Sequence, residues 1–336
     1  MDPERHEGMK KIIRFAAKLQ YPLIKGGIAL INVLPYPLAI SLGRFFGLLG
    51  WLVDPFHRRT AQIQLRHCLC EAYHPSTVRR VFMNHGDILV DTIKYAYMDD
   101  EEIRKRIVIE GREHLEQALS KGKGLMMITG HIGNWEILAH LPRLLGVRFC
   151  VMADVRNNPR IEAVVDDIRS RSGATILPPK GKALMLIREL KRGNTIGMII
   201  DQRGKRSDML FCDFFGLPAP TNPASAFIAI KGDALILPVS SVKEYGRYRI
   251  IFHPPREASS FGTGKEAIVS LSQYMQSWIE TVVRAHPEQW FWLHCRWTRR
   301  SEMRRLIRTG EDFPCFVRSQ AGGCAEPPES RDIRGS

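Results

Sequence analysis

The sequence lacks the short motifs that identify several large classes of enzymes and binding proteins. It has no Gly-x-Ser-x-Gly elbow, which argues against a serine hydrolase. It has no Cys-x-x-Cys pair and no His-Glu-x-x-His, the spacings that are typical of zinc sites. No helix-turn-helix, zinc-finger or RNP-like motif is present, and there are no internal repeats. The residues therefore predict no metal ion, no cofactor and no nucleic-acid partner.

The cysteines of the sequence do not indicate disulfide bonds either. The cysteines are odd in number and scattered along the chain, at positions 68, 70, 150, 212, 295, 315 and 324. An odd number without a regular spacing is not a disulfide framework, so free thiols in a reducing compartment are expected.

What the chain has in excess is positive charge. Its 336 residues contain 49 Lys and Arg against 35 Asp and Glu, a net charge of +14. Such an excess favours polyanionic partners: nucleic acid, an anionic bilayer, an acidic protein or a phosphorylated substrate. The length allows one large α/β domain or two modest ones.

The N-terminal region contains a long uncharged stretch. Residues 26–43 carry no charge, and residues 45–53 continue the apolar character. Eighteen helical residues span roughly 27 Å, close to the thickness of a bilayer core. Pro35 and Pro37 favour a kinked or interfacial segment, and cations on both sides leave its orientation open. We predict a retained membrane anchor over residues 1–53, with a buried helical hairpin as the alternative.

Strands and helices alternate through most of the remaining chain. A helical pattern over residues 58–98 is broken at residues 74–76, where Ser76 is a suitable N-cap. The strands are predicted at 125–129, 147–153, 174–177, 195–200, 235–239 and 248–253, with helices at 136–145, 161–172, 183–190 and 224–231. This order predicts an α/β fold with a largely parallel central sheet flanked by helices. Residues 54–309 would form this domain and 310–336 a disordered tail.

The segment GLMMITGHIGNWE, residues 124–136, is the strongest chemical signal. An apolar strand ends at Gly130, and His131 and Glu136 follow where the chain turns. A neutral imidazole there can remove a proton from a substrate hydroxyl, with Glu136 orienting the ring. Backbone amides of the turn from Gly130 to Gly133, or the guanidinium of Arg156, would stabilise an oxyanion. A histidine in a purely structural hydrogen bond is the alternative.

Other polar residues follow neighbouring strands. Arg156 follows the second predicted strand, and Asp201, Gln202 and Arg203 follow the fourth. If the strands are parallel, these turns meet His131 at one edge of the sheet, where α/β proteins bind ligands.

Together these residues resemble a known family. The 124–136 segment is similar to the His-x-x-x-x-Asp/Glu motif of the lysophospholipid acyltransferase superfamily and, more narrowly, to the late acyltransferases of bacterial lipid A biosynthesis. Further segments match in order, over roughly residues 10–305: ADVRNNPRIEAVVDDIRSRSG, GNTIGMIIDQR, CDFFGLPAPTNPASAFIA, LILPV and HPEQWFWLHCRW.

The resemblance implies a glycerolipid acyltransferase-like fold and an O-acyltransferase of the bacterial inner membrane, its catalytic domain facing the cytoplasm. It would move a fatty acyl chain from an acyl carrier protein thioester to a hydroxyl of a Kdo-bearing lipid A precursor. His131 would be the base and Glu136 its partner. The remaining implied site residues are Arg156, Asp201, Gln202, Arg203, Phe214, Phe215 and Gly216 for substrates, and Gly130, Gly133 and Asn134 in the turn.

Several alternatives stay open. The acceptor could be a lysophospholipid or another glycolipid, water could replace the alcohol in an esterase, or the chain could be a non-catalytic membrane-associated binding protein. The motif does not identify the acylated hydroxyl, the chain length, the oligomeric state, or a coenzyme A thioester against a carrier-protein thioester.

A basic cluster near the C-terminus offers a surface for these partners. Four aromatic residues lie just before or within it: Trp290, Phe291, Trp292 and Trp297. The arginines are Arg296, Arg299, Arg300, Arg304, Arg305 and Arg308. Arginines beside aromatic side chains suit an anionic membrane surface, and the same charge would attract an acidic carrier protein or a phosphorylated lipid. A solvated basic helix is the alternative.

Overall fold

A computed structural model describes residues 21–152, 159–177, 182–204 and 209–321 of the chain. The first half contains helices α1 (Tyr21–Val33), α2 (Tyr36–Val53), α3 (Pro55–Leu69), α4 (Pro75–Tyr97), α5 (Asp100–Arg106), α6 (Arg112–Ser120), α7 (Leu141–Leu145) and α8 (Pro159–Ser170). The second half contains α9 (Lys182–Lys191), α10 (Ala224–Lys231), α11 (Gly264–Ala285), α12 (Arg300–Thr309) and α13 (Phe313–Gln320). The strands are β1 (Ile107–Glu110), β2 (Leu125–Thr129), β3 (Phe149–Met152), β4 (Thr175–Leu177), β5 (Thr195–Ile199), β6 (Leu210–Phe214), β7 (Leu217–Thr221), β8 (Leu235–Glu244), β9 (Arg247–Phe252) and β10 (Arg256–Glu257).

The central sheet has the strand order β1-β9-β8-β2-β5-β3-β4, with β10 paired to β8. Strands β8, β2, β5, β3 and β4 are parallel to one another. The second half of β8 pairs antiparallel with β9, which in turn runs parallel to β1. Strands β6 and β7 form a separate hairpin. The predicted α/β class, a mostly parallel sheet flanked by helices, is confirmed.

Strand β2 lies in the middle of the sheet and is buried on both faces. Met126 and Ile128 belong to the core on one face, and Leu125 and Met127 belong to the core on the other. An uninterrupted apolar run is the pattern expected of a parallel strand covered by helices on both sides. Because β2 is fixed in the core, His131, which follows it, is held in place at the edge of the sheet.

Three details differ from the sequence predictions. Ser76 is not the cap of α4: His74 is, because its ring nitrogen accepts the Ser76 N–H. Residues 135–140 form a 3₁₀ helix before the short α7. The predicted disordered tail contains α13, whose apolar face (Phe313, Phe316 and Val317) is buried in the core.

Helix α2 packs along α4 at a glycine crossing. A Cβ on Gly86 would lie 2.0 Å from the carbonyl oxygen of Gly43, so the two backbones touch. Arg44 on α2 donates to the buried carboxylate of Asp87 on α4, at 2.9 Å. Lys243 of β8 bridges Asp87 and its neighbour Asp91 from the sheet side, at 3.4 and 2.8 Å. Because of these contacts, α2 is joined to the domain that follows, and a boundary after residue 53 does not separate the two.

The outer face of α2 is apolar and exposed. Its uncovered side chains are Leu38, Phe45, Phe46, Leu49, Leu52 and Val53. Within the described ranges, α2 is the one helix long and apolar enough to cross a membrane, judged by length and composition alone, and 17% of its span is buried in the fold.

The glycine crossing makes a testable prediction. Gly86→Ala forces a methyl group against the Gly43 carbonyl, and we expect it to lower the free energy of unfolding by about 1–3 kcal/mol. Urea unfolding in detergent measures this. Gly27→Ala in α1 is the matched control, because a Cβ there meets nothing within 4 Å. Equal midpoints for Gly86→Ala and the unmodified chain would contradict the close packing.

Candidate active site

The site is centred on His131, which follows β2, and Asp201, which follows the adjacent strand β5. The imidazole Nδ1 lies 2.7 Å from Asp201 Oδ1. The backbone N–H of His131 and the indole N–H of Trp290 both donate to Asp201 Oδ2, at 2.7 and 2.6 Å. The side chain of Asp201 is 1% exposed and that of His131 is 18% exposed. A buried carboxylate therefore holds a ring that reaches the surface.

These contacts fix the tautomer of the imidazole. Burial by itself raises the pKa of Asp201, but the electrostatic attraction and hydrogen bonds of the His131 ring and backbone and the hydrogen bond of Trp290 outweigh it and lower that pKa. An ionised carboxylate only accepts hydrogen bonds, so Nδ1 of His131 carries the proton and donates it. The outer nitrogen Nε2 keeps its lone pair, and the side-chain amide of Gln202 lies 3.1 Å from it.

Aromatic rings surround the outer part of the imidazole. Trp135 meets His131 edge to face at 4.6 Å, and Phe291 lies at 6.0 Å. On the far side, Phe291 stacks against His85 of α4 at 4.9 Å. The partly exposed imidazole is therefore bordered by aromatic rings on its outer side and by the Gln202 amide at Nε2, and aromatic rings are compatible with a lipid substrate.

The turn after β2 is pinned to the segment that carries Trp290. The Phe291 N–H donates to the His131 carbonyl at 3.0 Å, and the Gly133 N–H donates to the Gln289 carbonyl at 2.9 Å. The Gln289 side chain in turn bonds both the N–H and the carbonyl of Lys243 in β8, at 2.8 and 3.0 Å. Gly133 has φ +53°, and a Cβ there would lie 1.8 Å from the Ser241 carbonyl, so only glycine fits.

A second layer of buried polar groups holds the same segment from behind. Gln64 of α3 donates to the carbonyls of Trp292 and His294 and accepts the N–H of Arg296. Arg296 is itself fully buried and donates to the Pro220 carbonyl, to Thr221 and to Gln276. Its assignment to an exposed basic cluster was therefore wrong.

Glu136 is not the group that orients the imidazole. Its carboxylate lies 3.4 Å from the guanidinium of Arg169 on α8. The physical reason is the path of the chain: Gly133 adopts a left-handed conformation and a 3₁₀ helix follows, while the buried Asp201 already occupies the Nδ1 side. The spacing between His131 and Glu136 suggested a pair, but the hydrogen bond is made across two neighbouring strands.

The predicted substrate residues Phe214, Phe215 and Gly216 lie in the β6–β7 hairpin. Phe214 is fully buried and packs on Trp290 at 5.6 Å. Phe215 is also buried, and Gly216 is at the exposed hairpin turn with φ +72°. Two of the three are thus core groups, and Phe214 contacts the tryptophan that holds Asp201.

The predicted oxyanion turn is only partly available. The Gly133 N–H is already bonded to the Gln289 carbonyl, and the Asn134 side chain is buried beside Thr92, at 3.4 Å. A Cβ on Gly130 would lie 2.9 Å from Asp201 Oδ2, so this glycine admits the carboxylate. Among the described residues, the amide that lies against Nε2 is that of the Gln202 side chain. We correct the turn prediction accordingly for Gly133.

The remaining predicted residues divide between the site and its surroundings. Arg203 donates its backbone N–H to His294 Nε2 at 3.1 Å, next to Gln202. Arg156 lies outside the described residues. Within the described ranges, no group of three or more His, Cys, Asp or Glu side chains is arranged to hold a metal ion.

The histidines buried near the site give a pH prediction. Burial, reinforced by the charge of Arg296 and opposed by that of Asp201, lowers the pKa of His294 to about 4. A histidine with a lowered pKa binds its proton first in the unfolded chain, so stability is lost as pH falls from about 6.5 towards 4.

We expect His294→Gln, which keeps an acceptor for the Arg203 N–H, to reduce this loss by up to about 3 kcal/mol. Chemical unfolding at a series of pH values measures the slope, and above pH 7 the curves should run parallel. Identical slopes below pH 6.5 would contradict the buried neutral histidine.

Residues 10–299 match the family model described as bacterial lipid A biosynthesis acyltransferase. The lipid A biosynthesis palmitoleoyltransferase of Escherichia coli strain K12 is 28% identical over 279 residues, covering 80% of this chain and 87% of that protein. The lipid A biosynthesis lauroyltransferase of the same strain is 26% identical over 311 residues, covering 88% and 98%.

Two more distant proteins are also similar to this chain. A phosphatidylinositol mannoside acyltransferase of Mycobacterium tuberculosis is 23% identical over 206 residues, covering 59% of this chain and 64% of that protein. A crystal structure of a 1-acyl-sn-glycerophosphate acyltransferase from Thermotoga maritima gives a TM-score of 0.37 at 17% identity, covering 76% and 97%. With a family model matched over most of its length, the chain belongs to the bacterial lipid A biosynthesis acyltransferases and is an O-acyltransferase.

Proposed function

We propose that this protein transfers a fatty acyl chain from an acyl carrier protein thioester to a hydroxyl of a lipid A precursor, at the cytoplasmic face of the bacterial inner membrane. The observation that carries the mechanism is the partly exposed His131 imidazole, held through Nδ1 by the buried Asp201 carboxylate, which leaves Nε2 to act as the base. The names of the Escherichia coli relatives support the acceptor class.

The proposed reaction needs no protein nucleophile. The acceptor hydroxyl lies against His131 Nε2, which takes its proton as the hydroxyl oxygen attacks the thioester carbonyl. The resulting tetrahedral oxyanion collapses, the C–S bond breaks, and the imidazolium returns the proton to the departing thiolate. The products are an ester and a free thiol. Asp201 keeps the ring in its working tautomer and stabilises the imidazolium.

Gln202 is the proposed oxyanion donor. Its amide nitrogen rests 3.1 Å from Nε2, which is the place that the acceptor hydroxyl would take. Displaced by that hydroxyl, the amide remains within reach of the oxygen that develops charge on the neighbouring carbonyl. Arg156 stays a proposed contact of the carbonyl or of an acceptor phosphate.

The membrane position rests on α2. Its inner face is fixed to α4 by the glycine crossing and the Arg44–Asp87 ion pair, while its outer face is apolar. A helix bound to its own domain along one side suits an interfacial position, with the outer side chains in the acyl region. We therefore propose interfacial anchoring in place of a free-standing membrane span.

Two carboxylate variants test the proposed dyad. Asp201→Asn keeps the shape but removes the charge and the preferred tautomer, so we expect a fall in kcat of roughly 10²–10⁴-fold. Glu136→Gln is the matched control, because its carboxylate pairs with Arg169, and we expect a change below about tenfold. Steady-state acyl transfer in detergent, with folding checked by thermal unfolding, measures both. A larger loss for Glu136→Gln than for Asp201→Asn would restore the sequence-based pairing.

Substrate identity needs a separate experiment. The protein is incubated with Kdo-bearing lipid A precursors and a panel of acyl carrier protein and coenzyme A thioesters, and the lipids are analysed by mass spectrometry. We expect a mass gain of one acyl group with the carrier-protein donor, and no gain with the His131→Ala variant. Transfer only to lysophospholipid or to a mannosylated phosphatidylinositol would replace the proposed acceptor, the latter being favoured by the mycobacterial relative.

A further inference from the structure

Helix α12 presents a stripe of exposed arginines on one face. Arg300, Arg304 and Arg308 are spaced four residues apart, so they lie along the same side of the helix. In the part of the chain that the structure describes, none of the three forms an ion pair. Their neighbours do: Arg299 lies 3.7 Å from Glu302, and Arg305 lies 2.9 Å from Glu311. The three guanidinium groups therefore have no ion-pair partner within 4 Å among the described residues, although the charge of Arg300 also contributes to the lowered pKa of Asp54 at the end of α2.

The stripe adjoins the end of the apolar helix α2. Arg300 and Arg304 lie over the ring of Phe56, with distances to the ring centroid of 4.8 and 5.5 Å. Phe56 is the second residue of α3 and lies only three residues after Val53, the last residue of α2, which is 68% exposed. Arg58 lies over the Trp51 ring at 5.5 Å and donates to its carbonyl. Cations thus form a rim at one end of the exposed apolar face.

We infer that the Arg300–Arg304–Arg308 stripe binds the anionic headgroups of membrane phospholipids and, together with α2, sets the orientation of the protein on the bilayer. The physical basis is the way side chains distribute at a membrane–water interface. Apolar side chains enter the acyl region, and adjoining arginines remain at the level of the lipid phosphates. The inference rests on the proposed function only in requiring that the substrate is a membrane lipid.

The position of the stripe favours a bilayer over an acidic carrier protein. A carrier must deliver its thioester to His131, at the ends of β2 and β5. The stripe instead contacts Phe56, beside the apolar end of α2. Its charges are therefore continuous with the lipid-compatible surface.

The test is vesicle binding by the full-length protein carrying Arg300→Gln, Arg304→Gln and Arg308→Gln. The vesicles are phosphatidylcholine alone, or phosphatidylcholine with about one-third phosphatidylglycerol. Each arginine near an anionic surface contributes roughly fivefold to binding, so we expect the triple variant to lose roughly 100-fold in partition onto the anionic vesicles at low salt. Binding to neutral vesicles and acyl transfer in detergent should not change.

Two further variants separate charge from folding. Substituting Lys at the same three positions preserves the charge and should restore binding to anionic vesicles. A matched triple variant at the C-terminal end of α9 (Arg188→Gln and Lys191→Gln on the helix, and Arg192→Gln just after it) removes the same number of positive charges elsewhere and should bind like the unmodified protein. If the α9 variant also lost binding to anionic vesicles, the loss would be explained by the lower net charge of the protein, and a localised site on α12 would be overturned.

Other outcomes also overturn the inference without touching the proposed reaction. Unchanged binding of the glutamine variant to anionic vesicles would show that the stripe does not contact headgroups. If that result came with a raised KM for the acyl carrier protein thioester in detergent, the stripe would be a docking site for the carrier. Failure of acyl transfer in the unmodified protein would instead refute the proposed function, and vesicle binding would still report on the stripe.

Discussion

The buried carboxylate of Asp201 is the group on which the rest of the site depends. It receives a hydrogen bond from the His131 ring, from the His131 backbone and from the Trp290 indole. An ion with so little exposure costs several kcal/mol to desolvate unless its lone pairs are satisfied. Three short donors meet that requirement, and in doing so they join the ends of two adjacent strands to the 290–297 segment. The orientation of the imidazole is a consequence of this arrangement.

The surrounding side chains fix the residues that contact the Asp201 carboxylate. Trp290 is held in place by Phe214, and its segment is fixed by Gln64. Gln276 links the buried Arg296 to the Ile200 carbonyl, directly before Asp201. Side chains far apart in sequence therefore converge on a short stretch of backbone. Removing one of them leaves a buried donor or acceptor without a partner, which costs about 1–3 kcal/mol and loosens the geometry.

The sequence predicted the parts of the fold that local patterns encode. The bounds of β2 and α10 agree with the predictions, and parallel strands bring His131 and Asp201 to one edge as expected. The partner of His131 was wrong, because a spacing of five residues says nothing about a hydrogen bond made across strands. Trp290 was read as an interfacial aromatic residue, although it is 2% exposed: composition shows that a cluster is aromatic, and only packing shows which way it faces. For the same reason, the sequence did not show that Arg296 and the hairpin residues Phe214 and Phe215 are buried.

The account is tested most directly by the protonation of the His131 ring nitrogens. In protein labelled with ¹⁵N-histidine and held in detergent, the His131 signals are identified by their absence from a His131→Ala sample. The account predicts that the neutral form of the ring carries its proton on Nδ1, with that preference lost in Asp201→Asn and kept in Glu136→Gln. A neutral ring protonated at Nε2, or one that changes in Glu136→Gln and not in Asp201→Asn, would contradict it.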